Sequence, residues 1–142
     1  MPQATICKTP EVTRSLARDL AQTLTPPVVI ALHGDLGAGK TLFTQELARA
    51  LGVTVAVTSP TFTLINEYDL PHGGKFFHVD VYRLHDAVNE AIALGLEELF
   101  DVGIVIIEWA DRIAEILPED CIDVYFEYVG DDKRRITIRL PD

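Results

Sequence analysis

A chain of 142 residues is the length of one domain and is long enough to bury a core. Its 12 basic and 22 acidic residues give a formal charge of −10, which argues against broad, unassisted binding to nucleic acid or to an anionic membrane, although another subunit can hold a nucleic acid for it. The longest apolar runs are about seven residues, too short to span a bilayer. Met1-Pro2-Gln3-Ala4-Thr5 carries neither a basic stretch nor a long apolar run, so no leader is expected.

In chain order, Thr9 before Pro10 reads as a helix cap followed by proline at the first helical position. Residues 11–24 then read as an amphipathic helix, with Val12, Leu16, Leu20 and Leu24 recurring every four. Pro26-Pro27 stops it. Val28-Val29-Ile30-Ala31-Leu32 reads as a buried strand, and a helix with Phe43, Leu47, Ala50 and Leu51 on one face follows the glycine-rich segment after it. Residues 61–69 and 75–82 read as strands, and Pro71-His72-Gly73-Gly74 between them predicts an antiparallel hairpin. Residues 86–100 look helical with a break near Gly95, residues 102–108 look like a buried strand, and residues 110–116 a short helix ended by Pro118. Residues 121–129 and 134–140 predict a second hairpin, turned at Gly130-Asp131-Asp132. The expected fold is α/β: a three-layer domain like that of P-loop NTPases, spanning 1–142 as one unit. Two hairpins in so short a chain call for a mixed parallel and antiparallel sheet.

The chemistry starts at Gly34-Asp35-Leu36-Gly37-Ala38-Gly39-Lys40-Thr41, which matches the G-x-x-x-x-G-K-[ST] phosphate loop. Strand, glycine loop and helix is the order that chemistry needs. Glycines let backbone N–H groups converge on phosphate oxygens, and the helix start adds unpaired N–H groups and partial positive charge. Lys40 is expected to reach the outer phosphates and the Thr41 hydroxyl to bind Mg²⁺. Acids must complete such a metal site. Asp80 ends the apolar run Phe76-Phe77-His78-Val79, and Glu108 ends Ile104-Val105-Ile106-Ile107. Ligands of open α/β sheets gather outside the carboxyl ends of strands, where an acid holds a metal or orients the attacking water. An ordinary solvated acid is the bland alternative for each.

Thr58-Ser59-Pro60-Thr61-Phe62 is a hydroxyl-rich segment suited to closing over a γ-phosphate or simply to capping a strand. Trp109 reads more readily as core or interface than as a ligand stack. Lys133-Arg134-Arg135 is the one basic cluster, and a solvated hairpin edge is its plainer reading against a phosphate or partner contact. Arg83 suits either an arginine finger or a structural salt bridge. Cys7 and Cys121 form no CxxC pair, which fits a reduced, cytosolic setting, and the four histidines form no zinc pattern with them.

Taken together and in this order, GDLGAGKT at 34–41, VTSPTFTLINEY at 57–68, HVDVYRL at 78–84, LGLEELF at 94–100 and IEWAD at 107–111 resemble the TsaE family, formerly YjeE. These are small bacterial ATPases of tRNA threonylcarbamoyladenosine biosynthesis. The resemblance runs from roughly residue 8 to 140. The phosphate loop alone is shared by many NTPases, whereas its combination with SPTF, HxDxYRL and IEW is specific. The resemblance implies ATP and Mg²⁺ as cofactors. Asp35, Gly37, Ala38, Gly39, Lys40, Thr41 and Leu42 then fall in the nucleotide-binding loop, with Thr41 and Glu108 on the metal. Asp80 takes the Walker B role and Glu108 is tied to hydrolysis. Trp109 lies beside the nucleotide, and Thr9, Glu11 and Lys133 flank the adenine. Leu42 stands where the family often has a second Thr, and Ala110-Asp111 where it often has Pro and Glu. The same resemblance implies slow ATP hydrolysis in the cytoplasm in support of TsaD and TsaB, with tRNA met only through that complex and no membrane involved. A small phosphotransferase is a competing class, but no Arg-rich lid supports it. A nucleotide-gated module that barely hydrolyses ATP is another.

Overall fold

The computed structural model describes residues 2–34, 39–58 and 64–141. These form one seven-stranded sheet. The strands are β1 (Gln3–Cys7), β2 (Val28–Gly34), β3 (Ile65–Asp69), β4 (Lys75–Asp80), β5 (Ile104–Glu108), β6 (Ile122–Gly130) and β7 (Lys133–Arg139), in the spatial order β1-β7-β6-β2-β5-β4-β3. The helices are α1 (Pro10–Ala21), α2 (Lys40–Ala50), α3 (Ala87–Ala93) and α4 (Leu96–Leu99), with a 3₁₀ segment over Ala110–Ile116.

The sheet is mixed, as expected. β6, β2, β5 and β4 run parallel in its middle, while the β6–β7 and β3–β4 hairpins and the β1–β7 pair are antiparallel. β2, β5 and β4 are mostly apolar because helices cover both faces, whereas β6 leaves Tyr125, Glu127 and Tyr128 exposed. Ile30, Leu32, Phe76, Ile104, Ile106, Val124 and Phe126 point to one side, where Ala17 and Leu20 of α1 and Phe43 and Leu47 of α2 close over them. Val29, Ala31, Phe77, Val79, Val105 and Ile107 point to the other, against Ala91 of α3, Leu96 of α4 and Ile113. Among the described residues no helix is long and apolar enough to cross a membrane.

Several boundaries move from their expected places. β1 was not foreseen. Its Thr5 and Cys7 turn inward while Gln3 and Ala4 stay exposed, and it adds to the free edge of β7 through a register that pairs Thr5 with Ile136. α1 ends at Ala21 rather than residue 24, because the backbone N–H and the hydroxyl of Thr23 both donate to the Leu20 carbonyl and close the last turn. β4 ends at Asp80 rather than residue 82, because the Asp80 carboxylate accepts the Tyr82 N–H at 2.9 Å and turns the chain. In α2, Phe43 and Leu47 are buried as expected, but Ala50, its last residue, is exposed, and Thr44, Glu46 and Ala48 share the buried face instead. The helical break at Gly95 is present, with φ +81 separating α3 from α4.

Candidate functional site

The parallel register brings the chemistry to one end of the sheet. Leu32 of β2 lies opposite Glu108 of β5, and Glu108 lies opposite Asp80 of β4. The carboxyl ends of all three strands therefore meet where Gly34 leaves β2 and α2 begins. Gly34 has φ +139, and a Cβ there would stand 2.3 Å from the Phe126 carbonyl oxygen, so only glycine fits this close strand contact. Gly39 caps α2 with φ +102, and the Phe43 N–H donates to the Gly39 carbonyl at 3.0 Å, closing the first turn. A helix start carries partial positive charge and turns its first N–H groups toward an acceptor.

Lys40 is buried, 5% exposed. Its Nζ donates to the Gly34 carbonyl at 2.8 Å and stands 4.0 Å from the centroid of the Trp109 ring. A buried ammonium is costly, and the carbonyl and the ring face offset that cost. Trp109 takes a left-handed backbone, φ +62, which turns the chain from β5 into the 3₁₀ segment and swings the indole over the site. Tyr82 packs against the indole, ring centroids 4.8 Å apart and tilted by 38°. Arg112 donates from its two terminal guanidinium nitrogens to the carbonyls of Tyr82 and Leu84, tying the turn after β4 to the 3₁₀ segment.

Asp80 and Glu108 face each other at neighbouring strand ends. Burial pushes the Asp80 carboxyl up from its ordinary range. The Tyr82 amide pulls it back, the charge of Glu108 adds to the rise, and His78 and Lys40 oppose it. Glu108, 5% exposed, accepts a hydrogen bond from Nε2 of His78 at 2.6 Å. Sequence reasoning gave His78 no role. Its spacing of two from Asp80 was a usable signal, since that spacing puts both on one face of β4.

Of the other expected site residues, Thr41 lies exposed in the first turn of α2, and Leu42 turns away toward a groove of about 420 Å³ shared with Arg14, Gln45 and Val53–Val57. Thr9 is extended, φ −141, and makes no side-chain capping bond; its carbonyl instead accepts the Val12 N–H at 3.2 Å. The β1–β7 register sets Cys7 opposite Arg134, so Lys133 and Thr9 lie at the same end of the sheet as the glycine loop. Glu11 is engaged by Arg18 at 2.7 Å, and the other arm of that guanidinium reaches Glu46 of α2 at 3.0 Å. Asp35, Gly37 and Ala38, and Ser59, Thr61 and Phe62, lie outside the described residues. Cys7 and Cys121 are free thiols, and burial, reinforced by Asp123, pushes Cys121 up to about 11. Among the described residues no three His, Cys, Asp or Glu side chains cluster to hold a metal by themselves.

The donor set fits an anion beside a cation. Lys40 and the N-terminal end of α2 suit phosphate oxygens, while Thr41 and the neighbouring carboxylates of Asp80 and Glu108 suit a divalent metal next to them. Fold and geometry together define an α/β protein with a mixed, two-sided sheet in which Gly34, the buried Lys40 and the neighbouring acids Asp80 and Glu108 share the carboxyl end of the central strands. The family model described as "Threonylcarbamoyl adenosine biosynthesis protein TsaE" matches residues 7–136. The chain belongs to the TsaE family. A relative named tRNA threonylcarbamoyladenosine biosynthesis protein TsaE, from Bacillus subtilis, is 45% identical over 132 residues, covering 90% of this chain and 79% of that protein. Its counterpart of the same name in Aquifex aeolicus is 41% identical over 135 residues, covering 94% and 92%. Among solved structures, YdiB of Bacillus subtilis superposes with a TM-score of 0.80 at 35% identity, covering all of this chain and 87% of that one.

Proposed function

We propose that this chain is a slow, magnesium-dependent ATPase that supports tRNA threonylcarbamoyladenosine biosynthesis in the cytoplasm, working with TsaD and TsaB and meeting tRNA only through them. The observation that carries the ATPase reading is the meeting of Lys40, Asp80, Glu108 and Trp109 beside the glycine loop. Kinship with relatives named for this modification supports the pathway.

In this reading the amides at the start of α2 and the Lys40 ammonium bind the β- and γ-phosphates. Lys40 exchanges the Gly34 carbonyl for phosphate oxygens. Thr41 and Glu108 hold Mg²⁺, with Asp80 in the Walker B position beside them. When bound, Mg²⁺ neutralises charge on the phosphate oxygens. Glu108 also accepts a hydrogen bond from the water that attacks the γ-phosphorus; the bond to the β–γ bridging oxygen breaks, and ADP and inorganic phosphate leave. Thr9 and Lys133 flank the adenine. An isolated domain with no Arg-rich lid leaves charge stabilisation incomplete, so turnover alone is slow.

Trp109 is the one tryptophan in the chain and stands over Lys40, so its emission reports the site. Titration with Mg-ATP or Mg-ADP should change that emission saturably. Unchanged fluorescence at millimolar nucleotide, together with no heat of binding by calorimetry, would overturn the reading.

A further inference from the structure

His78 and Glu108 form a side-chain pair sealed in the sheet. His78 is 1% exposed and Glu108 5%. They come from adjacent parallel strands, β4 and β5, with His78 in register with Ile106 and so one side-chain step behind Glu108 on the same face. A carboxylate oxygen only accepts, so the 2.6 Å contact is a donation from Nε2–H of His78 to Oε2 of Glu108. That is the one hydrogen bond described for the imidazole: Nδ1 is buried and meets no partner among the described residues. A polar ring placed in an apolar layer with half of its hydrogen-bonding capacity unused is a poor choice for stability alone. Phe76 on the same face of the same strand shows that the layer accepts a hydrocarbon ring.

We infer that His78 is a positioning residue for Glu108. It holds Oε2, so that Oε1 is presented at the strand end where Asp80 and Lys40 converge. A glutamate has three side-chain torsions, and the last, an sp³–sp² torsion, is intrinsically broad until a hydrogen bond fixes it. Fixing one oxygen from behind selects one orientation of the other, as outer-shell donors do for ligating carboxylates. His78 touches neither nucleotide nor water and acts only through Glu108. This inference rests on the ATPase reading above.

Three substitutions separate positioning from packing. His78→Phe keeps the ring volume without a donor. His78→Gln places an amide donor at about the reach of Nε2. His78→Asn offers the same amide one methylene short of Glu108. Each is compared with wild type and with Glu108→Gln for nucleotide affinity, read from Trp109, and for single-turnover phosphate release with the partner proteins present. Displacement of a catalytic group by about 1 Å can cost about 100-fold, so His78→Phe and His78→Asn should slow release by about that factor while nucleotide affinity stays within about threefold. His78→Gln should recover to within about fivefold of wild type, and adding His78→Phe to Glu108→Gln should cause no further loss. Wild-type release by His78→Phe and His78→Asn would overturn the inference, as would equal losses for Asn and Gln or a full additional loss on the Glu108→Gln background. If His78→Phe does not fold, the Asn and Gln pair decides. If wild type releases no phosphate even with partners, the ATPase reading itself fails and this inference with it. If wild type turns over and Glu108→Gln does not, a negative His78 series counts against the positioning role alone.

Discussion

Lys40 is a cation held almost wholly out of water by a carbonyl oxygen and an indole face. A phosphate oxygen carries charge that the Gly34 carbonyl and the indole do not, so the ammonium gains when phosphate replaces that carbonyl. Lys40→Ala should therefore weaken ATP binding at least about tenfold, roughly 1.4 kcal/mol. Calorimetry on the folded variant checks this, and wild-type affinity would remove Lys40 from the phosphate site. The residues of the candidate site differ in how far the sequence exposed them. Gly34, Gly39, Lys40 and Thr41 were legible because the motif is contiguous and its physics is local. Asp80 and Glu108 were legible because each ends an apolar run. The pairing of His78 with Glu108 was not, since the two lie 30 residues apart and only the β4–β5 register joins them. The clamp from Arg112 to the carbonyls of Tyr82 and Leu84 was hidden for the same reason.

At the scale of elements, three strands on the opposite face from α1 and α2 are stitched by charge. Asp123 of β6, 6% exposed, accepts from Nε2 of His33 on β2 at 2.9 Å and from Nη2 of Arg139 on β7 at 2.6 Å. Burial alone would raise the Asp123 carboxyl, but these two donors outweigh it and hold the group below its ordinary range. The folded value thus lies below the unfolded one. Asp123 adds stability above about pH 4, the ordinary value for Asp, and that stability drains away as pH falls through the lower folded value. Asp123→Asn should cost about 1–3 kcal/mol in urea unfolding at pH 7, and the gap to wild type should narrow steadily below pH 4. A gap independent of pH would mean that the pair contributes through shape rather than charge. The elements themselves were largely readable. Apolar runs marked β2 and β5, while Pro71-His72-Gly73-Gly74 and Gly130-Asp131-Asp132 marked the two hairpins. β1 escaped because its five residues carry little apolar signal; its partner β7 lies at the far end of the chain, and register is a property of the pair.

For the whole molecule, strand order decides what the parts can do. Placing β2 between β5 and β6, with β4 beyond β5, carries a loop from residue 34 and acids from residues 80 and 108 to a single edge. A molecule with a net charge of −10 is a poor holder of tRNA by itself, which supports the proposal that it meets tRNA through partners. If bound ATP strengthens docking to them, the partners must tighten ATP binding by the same factor. The most direct test of the account is phosphate release from Mg-ATP by the wild-type chain, by Lys40→Ala and by Glu108→Gln, each with and without TsaB and TsaD. The account predicts slow release by the wild type alone, at least about tenfold faster release when both partners are present, and loss of that stimulation in both variants, with nucleotide binding kept in Glu108→Gln. Wild-type protein that binds ATP yet releases no phosphate above background with both partners present, or a Glu108→Gln variant that turns over at the wild-type rate, would contradict it.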